Sequence, residues 1–119
     1  MAFAKTYTGG CHCGEVRYET TTDLATLISC NCSLCTKRGM LWTFVKADQF
    51  ALRSGEDCLT DYQFNKKVLH HQFCSVCGIE SFARGTAPDG SETVAVNVRC
   101  LDGIDVASLT PMPFDGRSL

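Results

Sequence analysis

Cysteine is the residue type whose number and spacing could do chemistry in this chain: nine occur among 119 residues. Seven of the nine fall in three clusters, Cys11-His12-Cys13-Gly14, Cys30-Asn31-Cys32-Ser33-Leu34-Cys35 and Cys74-Ser75-Val76-Cys77-Gly78, while Cys58 and Cys100 stand alone. Thiolates one or two residues apart converge readily on a single ion, with Zn–S distances of about 2.3 Å. Such close neighbours reach relaxed disulfide geometry poorly. The odd cysteine count, with no apolar export segment behind Lys5 in the first ten residues, also argues against a disulfide framework and for a reducing, cytoplasmic setting. Metal ligation is the chemistry that remains.

Seven thiolates fill one tetrahedral S4 site and leave a second one ligand short. The outer pairs, Cys11/Cys13 and Cys74/Cys77, are each followed by glycine, which lets the backbone turn with positive φ and aim N–H groups at sulfur. Together they are expected to close one structural site, clipping a loop of about 60 residues. A structural zinc of this kind contributes on the order of 10 kcal/mol to folding. Cys30, Cys32 and Cys35 offer three thiolates, the usual number of protein ligands at a catalytic zinc with an open fourth position. In the alternative, Cys100, Cys58, His70 or His71 supplies the fourth ligand and closes it. A thioredoxin-type reading of Cys32 and Cys35 lacks its βαβ context, and the spacing fits no ferredoxin run.

These clusters must be held by short strands. Val16 and Tyr18 alternate with polar neighbours over Glu15 to Thr20, and Val94, Val96 and Val98 share one face over Thr93 to Val98. Leu41 to Val45, Leu24 to Ser29, Val68 to Phe73 and Ser81 to Arg84 are further strand candidates. Turns are expected at Ser54-Gly55, Pro88-Asp89-Gly90 and Asp102-Gly103. Helical signals are confined to single turns at Ser33 to Arg38, Ala47 to Phe50 and Asp105 to Leu109. The pattern predicts one all-β domain over residues 1–119, with metal knuckles in its turns.

Apolar residues at 45% and charged residues at 20% fit a globular domain and exclude a disordered tail or a collagen-like repeat. The net charge of −2 gives no basic footprint for nucleic acid. No apolar run approaches the ~20 residues needed to span a bilayer as a helix.

The clusters and their flanks resemble the glutathione-dependent formaldehyde-activating (GFA) family, which also includes the centromere protein V type. The segments that carry the resemblance are Gly9-Gly10-Cys11-His12-Cys13-Gly14-Glu15-Val16-Arg17-Tyr18, Cys30 to Cys35, Phe73-Cys74-Ser75-Val76-Cys77-Gly78-Ile79 and Val96-Asn97-Val98-Arg99-Cys100-Leu101-Asp102-Gly103, spanning residues 8–104 in order. The resemblance implies a β-tent fold, shared with zinc-dependent accessory proteins of small GTPases. It implies a structural zinc on Cys11, Cys13, Cys74 and Cys77 and a second zinc on Cys30, Cys32 and Cys35. It also implies a carbon–sulfur lyase read in reverse, in which the glutathione thiol adds to formaldehyde to give S-(hydroxymethyl)glutathione. Glu80-Ser81-Phe82 departs from the pattern: many short relatives carry a histidine or a proline there.

An acidic thiol needs cations beside its carboxylates, and Lys37, Arg38 and Arg99 are the candidates. His12 is expected to point away from the metal, and adjacent His70 and His71 to face opposite sides of a strand. Trp42 and Phe44 read as core or pocket wall, Cys58 as a small buried apolar residue. The expected partner is a small thiol such as glutathione, with no nucleic acid and no membrane. The alternative to an enzyme is a non-catalytic zinc module that binds a protein partner.

Overall fold

The computed structural model describes residues 4–63, 69–87 and 89–115. Its order is β1 (Lys5–Gly10), β2 (Arg17–Thr22), β3 (Ile28–Cys30), α1 (Ser33–Arg38), β4 (Trp42–Lys46), β5 (Phe50–Ser54), β6 (Leu59–Tyr62), β7 (Leu69–Cys74), β8 (Glu80–Thr86), β9 (Glu92–Asn97) and β10 (Met112–Phe114). The strands form two sheets, β1-β2-β5 and β10-β3-β4-β9-β8-β7-β6. All pairings are antiparallel except that of β10 with β3. The fold is all-β, as expected, with knuckle turns and little helix.

The larger sheet is covered on both faces, and strand alternation sorts its residues. Thr43, Val45, Phe82, Val94 and Val96 share one face. There Tyr18 and Phe50 of the small sheet, with Val16 just before β2, complete the main core, and the Phe50 and Phe82 ring centroids lie 4.8 Å apart. Trp42, Ala83 and Ala95 lie on the other face, where they pack with Met40 and Cys35 of the α1 segment. One sheet therefore supports two cores. The first joins it to its partner sheet, and the second docks the helix of the middle cysteine cluster.

Several local expectations change. Leu24 to Leu27 is not strand: Leu24 has φ 56°, and the side chains of Thr22 and Asp23 accept the N–H groups of Leu24 and Ala25. Those local bonds compete with sheet pairing, so the strand begins only at Ile28. Val98, Arg99 and Cys100 form a 3-10 turn instead of prolonging β9, with the Asn97 side chain accepting the Arg99 N–H at its start. Ser33–Arg38 is a true α-helix, capped by the Cys32 sulfur at one end and by Gly39 at φ 67° at the other. Val68 and Pro88, expected at a strand start and a turn, lie outside the described residues. Among the described residues no helix is long and apolar enough to cross a membrane.

Candidate metal centres

The outer cysteine pairs build two matching knuckles. Cys11 follows β1 directly; its carbonyl accepts from Gly14 N at 3.3 Å, and its Sγ accepts from Val16 N at 3.3 Å. Cys74 ends β7; its carbonyl accepts from Gly78 N at 2.8 Å, and its Sγ accepts from Val76 N at 3.4 Å. Both turns need a positive φ at their last residue, supplied by Gly14 at 86° and Gly78 at 80°.

The knuckles meet. The sulfurs of Cys11, Cys13, Cys74 and Cys77 all lie within 4.8 Å of one another, with Cys11–Cys13 at 3.5 Å and Cys13–Cys74 at 3.6 Å. Tetrahedral Zn–S bonds of about 2.3 Å require S···S edges of about 3.8 Å, whereas a disulfide needs about 2.05 Å. The donor set therefore fits an ion and not a bridge. Burial pushes the Cys77 thiol up, but the N–H groups of Cys13 and Ile79 and the neighbouring thiols outweigh it and bring it down to about 6. The Glu15 N–H favours the Cys13 thiolate, yet burial and the other three sulfurs push that thiol up to about 12. Four sulfurs this close oppose one another's ionisation, and a cation among them would relieve that repulsion.

Cys30, Cys32 and Cys35 form the second group, with their sulfurs also within 4.8 Å of one another. No other Cys, His, Asp or Glu among the described residues joins either group. Cys30 ends β3, Cys32 caps α1, and Cys35 lies within the helix. Cys32 N donates to Cys30 Sγ at 3.4 Å and Cys35 N to Cys32 Sγ at 3.3 Å. Burial raises the Cys32 thiol, but the Cys35 N–H and the flanking thiols lower it more, so its net shift is downward. Burial pushes the Cys35 thiol up, even though Trp42 Nε1 donates to its sulfur at 3.3 Å. That indole bond was not visible in the sequence, where Trp42 read as core or pocket wall.

A cavity of about 510 Å³ opens beside the second group, lined by Cys30, Cys35, Asn31, Thr36, Met40, Arg99 and Phe114 among others. Its size suits a small-molecule ligand, for which sites run from about 300 to 1,000 Å³. Arg99 lies on its wall, exposed. Lys37 is exposed in the last turn of α1. Arg38 instead turns to the Glu80 carboxylate and lies over the Phe73 ring, 5.2 Å from its centroid. His70 and His71 face opposite ways: His70 is exposed and bonds Asp61 at 2.8 Å, and His71 is buried and bonds Glu80 at 2.8 Å. Cys58 is half-buried near the first group, and burial raises its thiol. Cys100 is half-buried too, its Sγ 3.9 Å from the Glu80 carbonyl, and burial pushes its thiol up to about 11.

Comparison with known proteins bears on the family and the fold of this chain. A family model described as "Glutathione-dependent formaldehyde-activating enzyme" matches residues 6–112. A crystal structure of a Rhodobacter sphaeroides protein superposes with a TM-score of 0.78 at 31% sequence identity, covering 89% of this chain and 97% of that one.

Proposed function

The chain belongs to the glutathione-dependent formaldehyde-activating family, and from that premise we propose that it is a zinc-dependent carbon–sulfur lyase, working with glutathione or a related thiol and formaldehyde. The observation that carries the reading is the set of three convergent thiols beside a cavity with a cation on its wall. A zinc ion held by Cys30, Cys32 and Cys35 would supply ionisation of an incoming thiol at neutral pH. The reaction forms a bond from the thiol sulfur to the carbonyl carbon as the carbonyl π bond breaks and its electron pair passes to the oxygen. The carbonyl oxygen takes up the proton that the thiol gives, and nothing is oxidised or reduced.

The chain's own residues would hold the reactants. Arg99, on the cavity wall, would pair with a carboxylate of the thiol, while Met40 and Phe114 offer apolar walls that thin the water around the reacting atoms. The Trp42 N–H stabilises charge on Cys35 from the side away from solvent. Lys37, on the exposed end of α1, would add long-range attraction for an anionic thiol. Free thiols at this density suit the reducing cytoplasm.

The test is adduct formation from glutathione and formaldehyde, followed by NMR line exchange with the zinc-loaded protein, with the protein stripped of metal, and without protein. Faster exchange with the loaded protein alone supports the reading. Equal rates in all three remove it and leave a zinc module for a protein partner. Arg99→Ala should raise KM for glutathione on the order of tenfold, equivalent to about 1.4 kcal/mol, with kcat little changed.

A further inference from the structure

Three ionisable side chains outside the thiol groups meet in the second core. Glu80 is fully buried, with a side-chain exposure of 0%, and its two oxygens face different partners. One pairs with the Arg38 guanidinium, and the other bonds His71 Nδ1 at 2.8 Å, where the histidine side chain is 4% exposed. A buried carboxylate is costly unless its partners are well placed, so this arrangement asks for a reason.

The backbone goes out of its way to make it. Along the β7–β8 ladder His71 pairs with Ala83 and Gln72 with Phe82, but Phe73 pairs with Glu80, because Ser81 is an extra residue in a bulge. In a regular strand Glu80 would share a face with Phe82 and enter the main core. The bulge turns it to the face of His71, Ala83 and Trp42, beneath α1. Asn97 Nδ2 holds the Glu80 carbonyl at 3.0 Å, fixing the bulge from β9.

The network also closes on the second thiol group. Arg38 is the last residue of α1, three positions after Cys35. The Trp42 ring lies 6.4 Å from the His71 ring, and its N–H donates to Cys35 Sγ. His71 and Glu80 lie three residues outside Cys74 and Cys77, on the strands that carry half of the four-thiol group. The helix of one centre is thus tied to the knuckle of the other by charge.

We propose that Arg38, Glu80 and His71 are positioning residues for the three-thiol centre, locking α1 onto the β7–β8 pair so that Cys35 keeps its place against Trp42. The proposal concerns ion retention and does not depend on the nature of the substrate. Removing the Glu80 charge loosens the helix and weakens binding at the second centre, while the closed centre keeps its own ion.

The experiment titrates the full-length reduced chain with Co(II), reading thiolate charge-transfer absorption for each centre, alongside circular dichroism. The wild-type chain should bind two ions. Glu80→Gln should bind one with unchanged affinity and the other about 10- to 100-fold more weakly, with a shifted absorption band for the weaker ion. Should Glu80→Gln fail to fold, Arg38→Lys carries the test, because it keeps the charge and loses the planar fork; it should weaken the second ion several-fold. Wild-type affinity at the second centre in a folded variant overturns the proposal, as does equal weakening at both centres. A wild-type chain that binds a single ion overturns it together with the three-thiol reading; loss of adduct formation alone touches only the proposed activity.

Discussion

The two thiol groups use the same ligand chemistry and opposite chain economies. The four-thiol group draws Cys11 and Cys13 from the turn after β1 and Cys74 and Cys77 from the turn after β7, so it joins the small sheet to the large one. The three-thiol group takes all its sulfurs from one stretch of six residues, Cys30 to Cys35. Closing a long loop removes much conformational freedom from the unfolded chain, and closing a short one removes little. An ion in the first group would therefore act on the fold, and an ion in the second on its surroundings. The knuckle geometry that makes a site rigid is found where the sheets meet; the cavity is found where the ligands are local.

The largest effect expected from this contrast is at the junction. Cys77→Ser removes one of four ligands and with it a stabilisation on the order of 10 kcal/mol, comparable to the whole stability of a small domain. The variant should show no cooperative thermal transition by circular dichroism. A variant that melts like the wild type would mean that the sheets are held by packing alone. Cys35→Ser is the matched change in the other group. It should leave a folded chain with one ion fewer by elemental analysis, and cost no more than about 1–3 kcal/mol through the Trp42 N–H left without its sulfur. If both variants unfold alike, the two groups do not differ in the way described.

Trp42→Phe is gentler, since it keeps an aromatic ring in the second core and deletes one N–H. It should weaken the second ion about tenfold, as loss of an outer partner does, with the first ion unaffected in a chelator competition. Equal retention of both ions would show that Cys35 holds its ion without the indole N–H.

The ligand clusters were legible in the sequence because metal knuckles are local: two cysteines and a glycine within five residues specify their own turn. The β9 face was legible for a similar reason, since Val94 and Val96 alternate strictly and are fully buried. The contacts around Glu80 were not. They join residues from three separate segments, and the bulge at Ser81 inverts the alternation from which a reader assigns faces. The expectation of cationic residues near the middle cluster could not separate Arg99 on the cavity wall from Arg38 committed to a buried carboxylate. Strand β10 escaped notice because its three residues are all exposed and one is proline; its place comes from backbone bonds such as Met112 N to Leu27 O at 2.7 Å. Leu24 to Leu27 misled because apolar content suggested pairing where Thr22 and Asp23 had already claimed the N–H groups.

The smallest effect sharpens the comparison from its other side, because the sheets are also joined without metal. After the 3-10 turn that follows β9, Leu101 bridges to Gly9, and Asp102 N donates to Thr8 O at 2.9 Å. The Asp102 carboxylate there pairs with Arg17 of β2 and accepts from Thr8 Oγ1 at 2.8 Å. Arg17, and then Thr8, hold the Asp102 carboxyl below its ordinary value of 3.8. The folded chain thus binds that proton less readily than the unfolded one, so the contribution is complete above 3.8 and is lost as pH falls through the lower folded value. Both side chains are well exposed, at 39% and 52%, so solvent and salt screen the pair. Asp102→Asn should cost only about 0.2–1 kcal/mol at neutral pH in a denaturant titration, and the difference should shrink at high salt. A loss of several kcal/mol would give this polar latch a share in joining the sheets that the geometry assigns to the four thiols.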